Sequence, residues 1–331
     1  MRILKKFLVA AAVSAAMGVA AQAADQTTIA LVVKGLGNGF FDAAHTGAEE
    51  AAKQLGNVKV IYTGPNDTTA EAQIQVLNSV IAQHVNAIAV SANDKDALVP
   101  TLKKAMKRGI TVISWDSAVA PAGREMHLNA SSNDLISQTL VKLSQDALPG
   151  GKGEVAVLSA SATATNQNAW IAGMKEDLKS HPEIKLVGTV YGDDLSDKSY
   201  REAEGLMKKY PDLKVIVAPT TVGIVAASQA VEDAHKVGKI YVTGLGLPSE
   251  MAAHVKSGAS KSFALWNPID LGYAATTIAY ELATKKAVAK PGAEIAIGRL
   301  GKVKLDKTDD AVMGKPFIFN TSNIDKYAKM Y

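Results

Sequence analysis

The residues able to do chemistry in this chain stand where apolar runs end. The run Ala30–Val33 stops at Lys34. Glycines follow at 35, 37 and 39, with Asn38 between them and Phe40 and Phe41 just behind. Later runs end in Ser91 and Asn93, in Trp115 and Asp116, in Pro219, Thr220 and Thr221, in Leu245, and in Trp266 and Asn267. Another leads through a Ser/Ala/Thr loop to Asn166, Gln167, Asn168 and Trp170. Lysine only donates hydrogen bonds and ionised aspartate only accepts them, so between them they bracket hydroxyls, which do both. All three tryptophans belong to this set, in a chain of which only 5% of residues are aromatic. Aromatic faces beside amides and a carboxylate suit a sugar, whose C–H surface stacks on the rings while the polar groups fix its hydroxyls.

On this reading Lys34 donates to ligand oxygens, the glycines let the backbone come close, and Phe40 and Phe41 wall the pocket. Each residue also has a purely structural reading. Phe40 and Phe41 could be the first core turn of a helix, Trp115 a core residue of its strand, Lys34 and Asp116 an ion pair, and Asp270 a helix cap.

Other chemistry lacks its residues. "GLGNGF", 35–40, reads G-x-G-x-G and not the G-x-G-x-x-G of a dinucleotide loop. There is no P-loop, no G-x-S-x-G elbow and no HExxH, and no nucleophile stands beside a base. The six histidines are scattered, so neither a metal nor another cofactor is expected. The paired acids Asp193-Asp194 and Asp309-Asp310 lie in polar stretches and read as solvated.

The elements that must position these residues alternate. Runs at 28–33, 58–64, 87–92 and 110–116 are separated by amphipathic stretches, and the pattern restarts at 153–160, 184–192, 213–220 and 239–246. A ninth run lies within 261–270, with a helix after it. Strand–helix alternation implies a parallel sheet covered on both faces, and its repetition implies two doubly wound α/β lobes. Ligands of such sheets sit beyond the carboxyl ends of the strands, which is where the residues above fall.

The first 23 residues stand apart. Arg2, Lys5 and Lys6 precede an alanine-rich apolar run and Ala21-Gln22-Ala23, which reads as a secretory signal peptide cleaved near Ala23. The leader carries most of the formal net charge of +4, so the rest is nearly neutral and has no basic footprint for nucleic acid. With no cysteine, the exported chain must hold together by core burial alone.

The order of elements and the stretches "GNGFF", "SWDS" and "NQNAW" resemble the type I periplasmic sugar-binding proteins of ABC importers, the ribose-binding proteins among them. "IALVVKGLGNGFF", "YTGPNDTTAEAQIQVLNS" and "YVTGLGLPSEM" are most similar to the rhamnose-binding branch. A sister branch binds autoinducer-2 with the pattern Lys, Asp, Asp, Gln, Pro, Ala. The corresponding residues here are Lys34, Asp116, Asn166, Gln167, Pro219 and Thr221. Asn166 puts an amide in place of a carboxylate, and Thr221 adds bulk and a hydroxyl. Both weigh against autoinducer-2.

The resemblance implies two Rossmann-like lobes joined by a three-crossover hinge, near 128–131, 258–263 and 288–294. One lobe is then 25–129 plus 264–289, the other 130–263 plus 290–331. It also implies a monomeric periplasmic protein that closes on a monosaccharide, with rhamnose the leading ligand, and delivers it to an inner-membrane permease. Autoinducer-2 or a pentose is the alternative ligand. A secreted enzyme acting on a sugar is the competing class. The effector domain of a transcription factor is disfavoured by the signal peptide and the missing DNA-binding head.

Overall fold

A computed structural model describes residues 26–330 of the chain. The expected signal peptide lies outside the described residues.

The apolar runs form strands where the sequence places them. β1 (Thr27–Val32), β2 (Val58–Thr63), β3 (Ala87–Val90) and β4 (Thr111–Trp115) alternate with α1 (Gly39–Leu55), α2 (Ala70–Ala82) and α3 (Val99–Lys107). A further strand, β5 (Met126–Ser131), precedes α4 (Asn133–Ala147). The second set comprises β6 (Gly153–Ser159), α5 (Thr165–Asp177), β7 (Ile184–Tyr191), α6 (Ser196–Lys209), β8 (Leu213–Ala218), α7 (Thr221–Asp233), β9 (Tyr241–Gly244) and α8 (Pro248–Ser257). The chain continues through β10 (Ser262–Leu265), α9 (Pro268–Ala283), β11 (Glu294–Ala296), β12 (Lys302–Lys304), β13 (Asp310–Gly314), β14 (Phe317–Asn320) and α10 (Ile324–Tyr327).

Two parallel sheets result. The first has the order β13-β5-β4-β3-β1-β2 and the second β7-β6-β8-β9. β10 extends the second sheet through the Leu245–Ala264 bridge and pairs antiparallel with β14. Every residue of β3 is buried, as expected for a strand with both faces covered.

α9 packs on α1 and on β1, β3 and β4. The two helices touch backbone to backbone. A Cβ at Gly47 would lie 1.8 Å from the Ile269 carbonyl oxygen, and one at Gly272 would lie 1.9 Å from that of Ala44.

Strand pairing corrects the expected lobe boundaries. β5 pairs with β4 along Met126–Leu128, and the chain enters the second lobe only at α4. β10 belongs with the second sheet, so the next crossover runs through Trp266 and Asn267 instead of 258–263. β13 pairs in parallel with β5, which places it in the first lobe and moves the last crossover from 288–294 to the link between β13 and β14. The tail pattern was short and polar, and a short edge strand is defined by its partner more than by its own residues.

Candidate cleft site

The carboxyl ends of both sheets open onto one cavity. Lys34, Asn38, Phe40, Phe41 and Asp116 line it from the first lobe. Asn166, Gln167, Trp170, Pro219, Thr220, Thr221 and Leu245 line it from the second, and Trp266 from the crossover. The structure brings these thirteen expected residues together.

Two expected residues lie elsewhere. Trp115 is fully buried beneath Phe41, at 5.8 Å between ring centroids, and supports the wall without lining it. Asn267 caps α9 by accepting from the Ile269 and Asp270 amides, and it faces a different cavity beside the crossovers. Two lining residues were missed, Leu265 and Asp194. Asp194 follows β7, so the strand-end rule that found its neighbours also applies to it. Its sequence signal is weak because an Asp-Asp pair in a polar stretch reads as solvated.

Lys34 sits where β1 runs out. The turn beyond it uses Gly37 at φ +76°, and Asn38 then caps α1 by accepting from the Phe40 amide at 3.0 Å. This fixes Phe40 and Phe41 on the first turn, where they are buried and wall the cavity at once. Rings continue edge to face from Phe41 to Phe40 (5.2 Å), to Trp266 (6.2 Å) and to Trp170 (5.7 Å). Trp170 is held by its indole N–H, which donates to Asn133 Oδ1 at 2.9 Å. The Trp266 indole N–H is buried without a partner among the described residues.

The polar groups form a network across the cleft. Asp116 accepts from Ser91 Oγ at 2.7 Å and from Asn166 Nδ2 at 3.2 Å. Asn166 Oδ1 in turn accepts from the Gln167 amide at 2.9 Å and from Lys34 Nζ at 3.5 Å. An amide suits this bridge because it shows a donor to the acid and an acceptor to the base. Gln167 Oε1 is held by Ser159 Oγ at 2.8 Å and the Ala160 amide at 2.7 Å, while its Nε2 has no partner among the described residues.

Lys34 and Asp116 do not form a direct ion pair; no salt bridge within 4.0 Å involves Lys34 among the described residues. Burial raises the Asp116 carboxyl above its ordinary value, against the opposing pull of Lys34 and the Ser91 and Asn166 hydrogen bonds. Lys34 is 5% exposed with a single long hydrogen bond, which leaves most of its donor capacity facing the cavity.

Three further hydrogen bonds join the two lobes. Thr68 Oγ1 donates to the Asp193 carbonyl at 2.8 Å, Thr163 Oγ1 to the Asn93 carbonyl at 3.1 Å, and Thr221 Oγ1 to Asn38 Oδ1 at 3.2 Å.

Comparison with known proteins agrees with this architecture. Residues 29–287 match the family model described as periplasmic binding protein domain. A solved ABC transporter solute binding protein from Clostridium phytofermentas, with bound L-rhamnose, is 37% identical with a TM-score of 0.89, covering 92% of this chain and 99% of its own. LsrB from Clostridium saccharobutylicum in complex with AI-2 is 25% identical with a TM-score of 0.87, covering 91% of this chain and 99% of its own. The D-allose-binding periplasmic protein of Escherichia coli K12 is 26% identical over 250 residues, 73% of this chain and 80% of that protein. With two parallel sheets, crossovers between them and a cleft at the strand ends, the chain belongs to the periplasmic binding protein family, in its type I form.

Proposed function

We propose that this chain is the periplasmic sugar-binding component of an ABC importer, with L-rhamnose as its ligand. The observation that carries the reading is Lys34. A buried ammonium is expensive unless its donors are satisfied, and this one has one 3.5 Å bond to Asn166 and faces a cavity. Ligand oxygens would complete its coordination. Asp116 and Gln167 Nε2 then hold further hydroxyls. The Phe40, Trp170 and Trp266 rings offer an apolar surface to the C–H face and to the methyl group of a 6-deoxy sugar. The solved relative carrying L-rhamnose supports the choice of sugar.

In this role the chain is exported, loses its leader near Ala23, works as a monomer and closes its lobes on the ligand. The closed form is the one a membrane permease recognises. Binding, without turnover, is the expected activity.

The test is a melting series of the mature chain with L-rhamnose, ribose, galactose and autoinducer-2. A ligand at about a thousand times its Kd adds about 4 kcal/mol to stability. The largest shift is expected with L-rhamnose. A shift with autoinducer-2 alone overturns the sugar reading, and consumption of the sugar overturns the binding reading in favour of an enzyme.

A further inference from the structure

We propose that Asp194 determines the ligand class of this cleft: it gives the site one more carboxylate than cation, so that the site takes an uncharged polyhydroxylated ring and turns away anionic sugars. The proposal rests on the sugar-binding reading and sharpens it.

Asp194 lines the cavity together with Lys34 and Asp116, and Lys34 is the only cation among the lining residues. Its neighbour Asp193 is neutralised by Lys198, whereas Asp194 has no ion-pair partner among the described residues. One Asp194 oxygen accepts from Thr220 Oγ1, and the other has no partner among the described residues. Thr220 Oγ1 also accepts from the Gly223 amide at the start of α7, so it acts as a positioning residue for the carboxylate.

The backbone here is held in an unfavourable form. Asp193 and Asp194 have φ values of +54° and +53°, consecutive left-handed residues without a glycine. The Asp193 amide is fixed by the Ala160 carbonyl at 2.8 Å, and its carbonyl by Thr68 across the cleft. Such a turn persists only where its surroundings impose it, and the result is a carboxylate aimed at a site that already holds an acid.

Asp194 also acts electrostatically on Asp116, adding to the forces that favour its protonated form. With both acids ionised, two carboxylates against one ammonium leave the cleft one negative charge in excess. Hydroxyl donors relieve the second Asp194 oxygen and use the acceptor capacity left on the Asp116 oxygens, whereas a ligand carboxylate or phosphate meets like charge.

The experiment is Asp194→Asn, an isosteric change that the left-handed backbone accommodates. Calorimetry measures L-rhamnose and D-galacturonate on the wild-type and variant chains. The wild type is expected to bind the uronate measurably but far more weakly than L-rhamnose. The variant should lose at least tenfold in L-rhamnose affinity, and the ratio between the two ligands should fall by more than that loss because uronate binding strengthens. An unchanged ratio overturns the proposal. Carboxyl NMR of the unliganded proteins gives an independent readout: the Asp116 titration midpoint should fall in Asp194→Asn, and an unmoved midpoint also overturns it. If the wild type binds neither sugar, the sugar reading fails on its own, and the Asp116 titration decides the role of Asp194.

Discussion

Asp116→Asn should make the empty protein more stable and the sugar complex weaker, two effects of opposite sign from one atom. The backbone at Asp116 has φ +57°, a left-handed conformation that asparagine adopts nearly as well as aspartate, so the change adds little strain. Ser91 can turn its hydroxyl from donor to acceptor, which keeps that hydrogen bond. In the wild type, burial outweighs the attraction of Lys34 and raises the acid above its ordinary 3.8. The folded state therefore holds this proton more tightly than the unfolded chain does. The associated stability is complete below 3.8 and is lost as pH rises through the folded value. Each tenfold weakening of the acid corresponds to about 1.4 kcal/mol at neutral pH. Asparagine removes the penalty, so denaturant melts at pH 7.5 should show a higher midpoint than wild type, and the pH slope assigned to Asp116 should vanish. Sugar hydroxyls that donated to a carboxylate now meet a neutral amide oxygen. Charged hydrogen bonds are worth about 1.5–3 kcal/mol and neutral ones about 0.5–1.5, so calorimetry should show affinity down by about tenfold. A variant that melts earlier than wild type at pH 7.5, or that binds sugar equally well, refutes the reasoning.

The other expectations are simpler. Lys34→Met keeps the side-chain length and removes the charge; sugar affinity should fall by about tenfold or more, while the unliganded melting temperature stays level or rises, because the wild-type ammonium has only its 3.5 Å bond to Asn166. A marked drop in melting temperature would make Lys34 structural. Thr68→Val removes the 2.8 Å bond to the Asp193 carbonyl, worth about 0.5–1.5 kcal/mol; small-angle scattering of the empty protein should show a more open molecule, and an unchanged profile counts against a latch. Gly272→Ala drives a methyl into the Ala44 carbonyl, 1.9 Å away; overpacking of this kind costs about 1–3 kcal/mol or more, and an unchanged urea midpoint would mean that α1 and α9 can separate without penalty.

The fold was legible in the sequence where its elements carry their own signal. β1, β3, β6 and β8 are apolar because both their faces are covered, and the helices between them alternate apolar and polar faces. β5 and the β11–β14 tail were not legible. They are short, and β13 is a strand only because β5 offers it a parallel edge. The crossover boundaries shifted for the same reason.

The site divides along a similar line. Sequence alone determined which residue types end the strands, and the strand-end rule of open α/β sheets turned that list into a candidate site. Only the tertiary structure decided what each residue faces. Trp115 points down under Phe41 and Asn267 is spent on a helix end. Asp194 is turned into the cleft by a left-handed turn, Thr220 and a bond from the opposite lobe. Direction, partner and charge balance depend on groups more than a hundred residues apart in the chain, such as Lys34 and Asn166. No local pattern encodes such a meeting; it exists once two separately folded sheets are brought face to face.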